Sequence, residues 1–274
     1  MLKNTRNVCV LFALPEEARP FVREIGNLDT SRIKGIYESY RGMIPYKPHP
    51  IDLTVAVSGV GQQNAAHCAE AILDSLAGKI DILIISGFAG HLEPVIHFFE
   101  GFPVRSYLGN VIVVSDVITE TQEKFRASPA LFEAASNVSA DAMTVESCVI
   151  CGGPLITGDR VLITPQEKSA LAERTGAIAV DMETAGAVRV AQERGIPWLA
   201  VRAITDGVND ELPLDFNALA NSDGSVNRGR ILRATLAQPH KIPALIRLGQ
   251  RSSLAANNLA AFLVAFLQTL PEGF

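Results

Sequence analysis

Between Asn7 and Thr205 the chain alternates short apolar runs with longer runs of helical periodicity, and this alternation restricts the possible folds more than any other feature. The strand-like runs are NVCVLFAL (7–14), IDLTVAVSG (51–59), DILIISG (81–87), GNVIVVSDVI (109–118), AIAVDM (177–182) and PWLAVRAIT (197–205). PEEARPFVREI (15–25) reads as a helix, with Pro15 at its entry and acids in its first turn. QQNAAHCAEAILDSLAG (62–78) reads as a second, ending at Gly78. TPQEKSALAERTG (164–176) is a third, with Thr164 as N-cap and Gly176 as stop, and ETAGAVRVAQERG (183–195) is a fourth. Such alternation predicts an α/β fold with a largely parallel or mixed sheet. Three stretches depart from it. Residues 26–50 suit a loop or edge hairpin, residues 91–108 interrupt the passage between two strands, and the polar stretch 207–241 suits a lid. No repeat, low-complexity tract or linker divides the 274 residues, which predicts one domain over 1–274 with a helical C-terminal extension at about 225–270.

Composition narrows the function. The net charge of −5 is scattered and forms no basic stripe, which argues against nucleic-acid binding. VCVLFALP (8–15) is followed by Glu16 and Glu17 and by no small-residue cleavage site, so it reads as a first buried strand rather than a secretion signal. LAAFLVAFL (259–267) is too short to span a bilayer and suits a helix packed on the domain or on a partner subunit. Cys148 and Cys151 form a C-x-x-C, but no second pair or nearby His completes a metal site. Buried structural thiols are the expectation for the four cysteines, with no metal and a reducing, cytoplasmic setting.

Ligands of open α/β sheets bind beyond the carboxyl ends of the strands. Glu16 and Glu17 follow the first strand, SGVGQQN (58–64) the second and SGFAGH (86–91) the third. Asp181, Met182 and Glu183 follow the fifth, and Arg202, Thr205 and Asp206 end the sixth. Carboxylates at three such ends can converge on one pocket. The glycines match neither the dinucleotide fingerprint nor the phosphate loop, and suit ordinary tight turns equally well. Each charged residue also has a plainer reading. Glu16 suits a first-turn complement to the helix dipole, and Asp181 and Asp206 suit caps. Arg202, in an apolar strand, calls for a buried acidic partner. Glu183, in an apolar frame, is the hardest of these to explain without a ligand.

AVDMETAGAV (179–188) followed by PWLAVRAITD (197–206) resembles the paired signature of the nucleoside phosphorylase superfamily. The nearer likeness is to its nucleosidase branch, which cleaves 5′-methylthioadenosine and S-adenosylhomocysteine. VSGVGQQNAA (57–66), DILIISGFAGHLEP (81–94) and TGDRVL (157–162) resemble further segments of the family. The C-terminal stretch LAQPHKIPALIRLGQRSSLAANNLAAFL also resembles hopanoid-associated phosphorylases, which act on an adenosine-bearing lipid.

The resemblance implies a three-layer fold, with a central mixed sheet flanked by helices. It implies cleavage of the N-glycosidic bond of a purine nucleoside, an adenine nucleoside with a 5′-substituent, through an oxocarbenium-like transition state. Glu183 would bind the ribose 2′ and 3′ hydroxyls, with Met182 lining the sugar. Asp206 would serve purine N7, and Glu16 would deprotonate the attacking water. Arg202 would stand beside these acids, and Asp181, Ser86, Gly87, Phe88, Val161 and Leu162 would complete the substrate pocket. Val161 stands where the family stacks an aromatic on the base. Ile85 and Phe88 stand where phosphate-binding members carry Arg and Ser, which favours water as nucleophile. The family implies no cofactor and a homodimer or larger homo-oligomer. Phosphorolysis, of a purine nucleoside or of the hopanoid-associated kind, is one alternative, and a non-catalytic nucleoside-binding protein is another.

Overall fold

The computed structural model describes residues 5–46, 48–76, 80–92, 97–99, 102–104, 108–139, 149–219, 233 and 237–271. Its strands are β1 (Arg6–Phe12), β2 (Asp29–Ser31), β3 (Glu38–Ile44), β4 (Ile51–Val57), β5 (Ile82–His91), β6 (His97–Phe99), β7 (Phe102–Val104), β8 (Val111–Val113), β9 (Asp116–Thr119), β10 (Lys124–Arg126), β11 (Val149–Cys151), β12 (Pro154–Thr157), β13 (Ala179–Asp181) and β14 (Trp198–Asp206). Its helices are α1 (Pro15–Ile25), α2 (Gln62–Ser75), α3 (Pro129–Ser136), α4 (Pro165–Thr175), α5 (Thr184–Glu193), α6 (Phe216–Leu219) and α7 (Ile242–Gln268). All the strands but the β6–β7 pair join one mixed sheet.

Local chemistry sets most boundaries. Thr164 caps α4 by accepting the Glu167 N–H, Glu167 returns the bond to the Thr164 N–H, and Gly176 closes the helix in the left-handed region. The expected edge hairpin at 26–50 is β2–β3, antiparallel and laid on β4. Two expectations need correction. The run 109–118 is not one strand. β8 lies antiparallel to β14, whereas β9 runs parallel to β12, and the chain turns between them to change neighbours. The third strand does not stop at Gly87 but continues to His91, because β14 pairs with it from Leu83 to Gly90. α2 ends at Ser75, and Gly78, its expected stop, lies outside the described residues. Much of 91–108 and of 207–241 also lies outside them. So does Cys148. Cys9 and Cys68 are buried as expected, whereas Cys151 is exposed.

The strand β5 organises the sheet. Along one edge it pairs parallel with β14. Along the other it pairs parallel with β1 over Ile82–Ile85 and antiparallel with β13 at Gly90–His91. Between those partners, residues 86–89 have no strand beside them on that edge. This gap is where β1 and β13 diverge, and such a divergence in an α/β sheet leaves a crevice.

Helices cover the sheet. α7 lays Leu259, Phe262, Leu263, Phe266 and Leu267 into the core against α1 and β14, and its Asn258 amide donates to the Gly109 carbonyl at 2.9 Å. No helix of the described residues is long and apolar enough to cross a membrane. α5 packs on α2 so closely that a Cβ at Gly186 would lie 2.1 Å from the Gln62 carbonyl oxygen. Gly186→Ala should therefore push α2 off α5 and destabilise the protein by about 1–3 kcal/mol, the usual range for overpacking a tight core contact. Urea denaturation measures this, and an unchanged midpoint would show that the helices separate freely.

Candidate active site

The gap beside β5 opens into a cavity of about 770 Å³. Its wall comes from the end of β1, the start of α2, the gap segment of β5, the 158–162 loop, α4, the β13–α5 turn, the end of β14, the 212–219 segment and α7. Five carboxylates line it: Glu17, Glu183 and Asp206 come from three separate strand ends, Asp181 shares the end that leads to Glu183, and Asp159 lies in the 158–162 loop.

Glu17 is the third residue of α1, and a third-position glutamate can turn back onto the N–H groups just before its helix. Its Oε2 accepts from Ala13 N at 3.0 Å and Leu14 N at 2.9 Å, while Oε1 crosses the gap to accept the Phe88 N–H at 2.9 Å. The carboxylate thus replaces the missing strand neighbour of Phe88. Burial raises its pKa, opposed by the nearby Arg202 charge and by these three N–H donors. Glu16 does not take this place. It is exposed on α1 and absent from the cavity wall, because adjacent helical positions point about 100° apart.

Glu183 sits at the N-cap position of α5 and bonds away from its own helix. Its Oε1 accepts the Gly61 N–H at 2.9 Å, tying the β13–α5 turn to the start of α2. Burial and the Asp181 charge push its pKa up to about 8, with Arg202 opposing. Two lone-pair directions of such a carboxylate remain for hydroxyl donors in the cavity.

Arg202 is fully buried beneath these acids, not in the wall. Its Nη2 lies 2.5 Å from Asp181 Oδ2 and also bonds Thr184 Oγ1. The buried acidic partner expected for Arg202 is therefore Asp181. The Asp181 carboxylate is occupied further by Thr157 Oγ1 at 2.8 Å and by the N–H and hydroxyl of Thr184. Asp181 stands in the cavity wall, and both its oxygens also serve this internal network. Ser86 and Gly87, like Arg202, fall outside the wall. Ser86 is buried on β5, and Gly87 makes room, because a Cβ there would lie 2.4 Å from Arg202 Nη1 and 2.9 Å from Glu17 Oε1. Met182, Phe88, Val161 and Leu162 do line the cavity.

Asp206 ends β14 with Oδ1 accepting from Thr205 Oγ1 at 2.9 Å and Oδ2 facing Lys168 Nζ at 2.5 Å. Lys168 is 1% exposed and was not among the expected site residues. The sequence offered only a weak signal, a lysine early in a helix otherwise suited to solvent. The mouth is drawn together by Asn217, whose side chain bonds both the N–H and the carbonyl of Val161, and by Gln62, which donates to Asp159 at 2.7 Å.

A family model described as the phosphorylase superfamily matches residues 7–237. The 5′-methylthioadenosine/S-adenosylhomocysteine nucleosidase of Shewanella halifaxensis is 23% identical over 225 residues, covering 76% of this chain and 89% of its own. That of Thermotoga maritima is 24% identical over 210 residues, covering 76% and 88%. Among solved structures, futalosine hydrolase of Helicobacter pylori superposes with a TM-score of 0.68 at 18% identity, over 96% of this chain and 97% of its own. The 5′-methylthioadenosine/S-adenosylhomocysteine nucleosidase of Neisseria meningitidis gives 0.69 at 18% identity, over 97% and 100%. These likenesses bear out the three-layer fold with its central mixed sheet.

The raised Glu183 pKa has a stability consequence. Its ordinary value is 4.5, so between about pH 4.5 and pH 8 the folded protein holds more of this proton than the unfolded chain does. Stability contributed by this group therefore falls as pH rises through that window. Glu183→Gln removes the ionisation, so its melting temperature should exceed the parent's at pH 9 and converge on it near pH 5. Thermal melts across this range decide the matter, and a variant less stable than the parent at pH 9 would mean that the Glu183 charge is well compensated.

Proposed function

The chain belongs to the phosphorylase superfamily, and from that premise we propose that it hydrolyses the N-glycosidic bond of an adenine nucleoside carrying a 5′-substituent. The observation that carries this reading is Glu17. It is a buried carboxylate with a raised pKa, it lines the cavity, and its oxygens are held by backbone N–H groups alone. A general base works best with a pKa drawn towards neutrality, and backbone donors fix its position without holding its charge in an ion pair. The nucleosidase names of the relatives agree with it.

In this reading a nucleoside lies between the three acids. Glu183 accepts the ribose hydroxyls, and Met182 packs beside the sugar. Phe88, Val161 and Leu162 supply apolar surface for the base. Asp206 faces purine N7. Water delivered to the anomeric carbon passes a proton to Glu17 as the bond to the base breaks. The positive charge that develops on the sugar is then met by the carboxyl oxygens of Glu17 and Glu183, which are held in place beforehand. The cavity has the volume to hold a nucleoside with a 5′-extension, and Leu212, Phe216, Leu219 and Leu248 give its wall apolar surface. The reading carries with it a cytoplasmic homo-oligomer, as the sequence resemblance implies.

The wall disfavours phosphate as nucleophile. Arg160 and Lys168 are the lysine and arginine residues among its described members, and each is already paired, with Glu167 at 2.6 Å and with Asp206. A dianion would give up its hydration next to Glu17 and Glu183 without gaining a free cation. The test is release of free adenine from a panel of 5′-substituted adenosines, with and without phosphate. The expected sugar product is a free 5′-substituted ribose at a rate independent of phosphate. A ribose-1-phosphate product would establish phosphorolysis instead. In the same assay Glu17→Gln should lose about a hundredfold or more in rate, the usual worth of a general base, while Glu16→Gln stays at the parental rate. Loss in the Glu16 variant with retention in the Glu17 variant would reverse the assignment.

A further inference from the structure

Lys168 stands in the cavity wall with no part in the chemistry described so far. It lies in the first turns of α4, and its Nζ is 2.5 Å from Asp206 Oδ2 and 2.9 Å from the carbonyl oxygens of both Gly207 and Asp210. A lysine ammonium has three hydrogens, and these three acceptors take all of them. Burying an ammonium costs several kcal/mol before its pairing is counted, and an apolar side chain would fill the same space without that cost. The arrangement also suits the other protonation state. If one hydrogen passes to Asp206, the neutral amine keeps two, and the carbonyls of Gly207 and Asp210 still accept both. The amine lone pair then faces the new Asp206 hydroxyl. No polar atom loses its partner in either state, so a proton can sit on either side of the 2.5 Å contact.

We propose that Lys168 supplies, through Asp206, the proton that the departing purine takes up. The proposal rests on the nucleosidase reading of the cavity. The proton passes from Nζ to Asp206 Oδ2. It passes on to purine N7 as the bond between the anomeric carbon and N9 breaks and its electron pair enters the base. Lys168 is left as the neutral amine, Asp206 as the carboxylate, and the purine as the neutral N7–H base. The proton taken from water resides on Glu17, so the net charge of the protein is unchanged across the step. Exchange with solvent after product release resets both groups. The surroundings of Asp206 suit this relay. Thr205 Oγ1 holds Oδ1, and across from Oδ2 stands Gly90, whose missing side chain would otherwise lie 3.2 Å from that oxygen. Lys168 acts on the substrate only through Asp206, and its role is to position and charge that acid.

Arginine separates proton supply from mere charge, since it pairs with a carboxylate but does not give up a proton in a protein. The experiment compares Lys168→Arg with the parent on an adenine nucleoside and on a nitrophenyl riboside, whose leaving group departs without protonation at nitrogen. The expected result is a loss of about a hundredfold in adenine release, with KM and nitrophenyl riboside cleavage close to parental values. Retention of adenine release would show that the charge alone suffices and would overturn the proposal. Equal losses on both substrates would reduce Lys168 to a structural partner of Asp206 and would overturn it as well. A parent inactive on both substrates would instead remove the nucleosidase reading, and the proposal with it. If the arginine variant does not fold, a single-turnover measurement on the parent in deuterium oxide decides. Water attack is common to both substrates, so a larger slowing of adenine release than of nitrophenyl riboside cleavage supports the relay, and equal slowing, or none, overturns it.

Discussion

One buried guanidinium serves three carboxylates, and much of the site follows from how unequally it does so. Arg202 gives its ion pair to Asp181, and the threonines on either side complete that pair. Glu17 and Glu183 feel the same charge only at a distance, which is too little to offset their burial, and their pKa values rise. The protein thus keeps two buried acids in one cavity while its buried guanidinium is committed to a third. A buried ion pair is by itself weak evidence for stability, and here Arg202 Nη1 is buried without a hydrogen-bond partner. The pair also fixes the β13–α5 turn from which Glu183 projects, so geometry and electrostatics come from a single contact.

The sheet gives that contact its place. β5 changes partner along one edge, from β1 to β13, and the four residues between have no strand beside them. An unpaired N–H in that stretch would be costly if left buried. Glu17 answers the Phe88 N–H from the first turn of α1, so a side chain completes the backbone ladder and lines the cavity at once. The group that completes the sheet's hydrogen bonding is the one proposed as base.

The sequence made the alternation of strands and helices legible, together with the N-cap at Thr164, the stop at Gly176 and the edge hairpin after α1. These are local, and each has a local cause. The neighbourhood of the acids was legible too, since Glu183 and Asp206 end strands that share one crevice. What failed was register within a turn and pairing across distance. Glu16 and Glu17 are adjacent and chemically equal, yet Pro15 at the first helical position makes Glu17 the residue able to fold back on the turn. That signal was present and points to Glu17. Asp181 does stand in the wall, but that its carboxylate pairs with Arg202 could not be read locally, since Arg202 lies across the fold. Lys168 was passed over for a similar reason, since Asp206 is 38 residues away and a helical lysine ordinarily meets water. The break at 109–118 depends on which strands flank it, and no property of those ten residues announces that.

The cavity wall draws on both ends of the chain, with Glu17 near one terminus and Leu248 and Ser252 of α7 near the other. Contacts of such large sequence separation form late, since the loop they close must first be ordered. Until α7 docks, the cavity lacks the side that Leu248 and Ser252 supply. The cavity is therefore a property of the assembled wall, and a chain without α7 would carry the acids with that side of the cavity open.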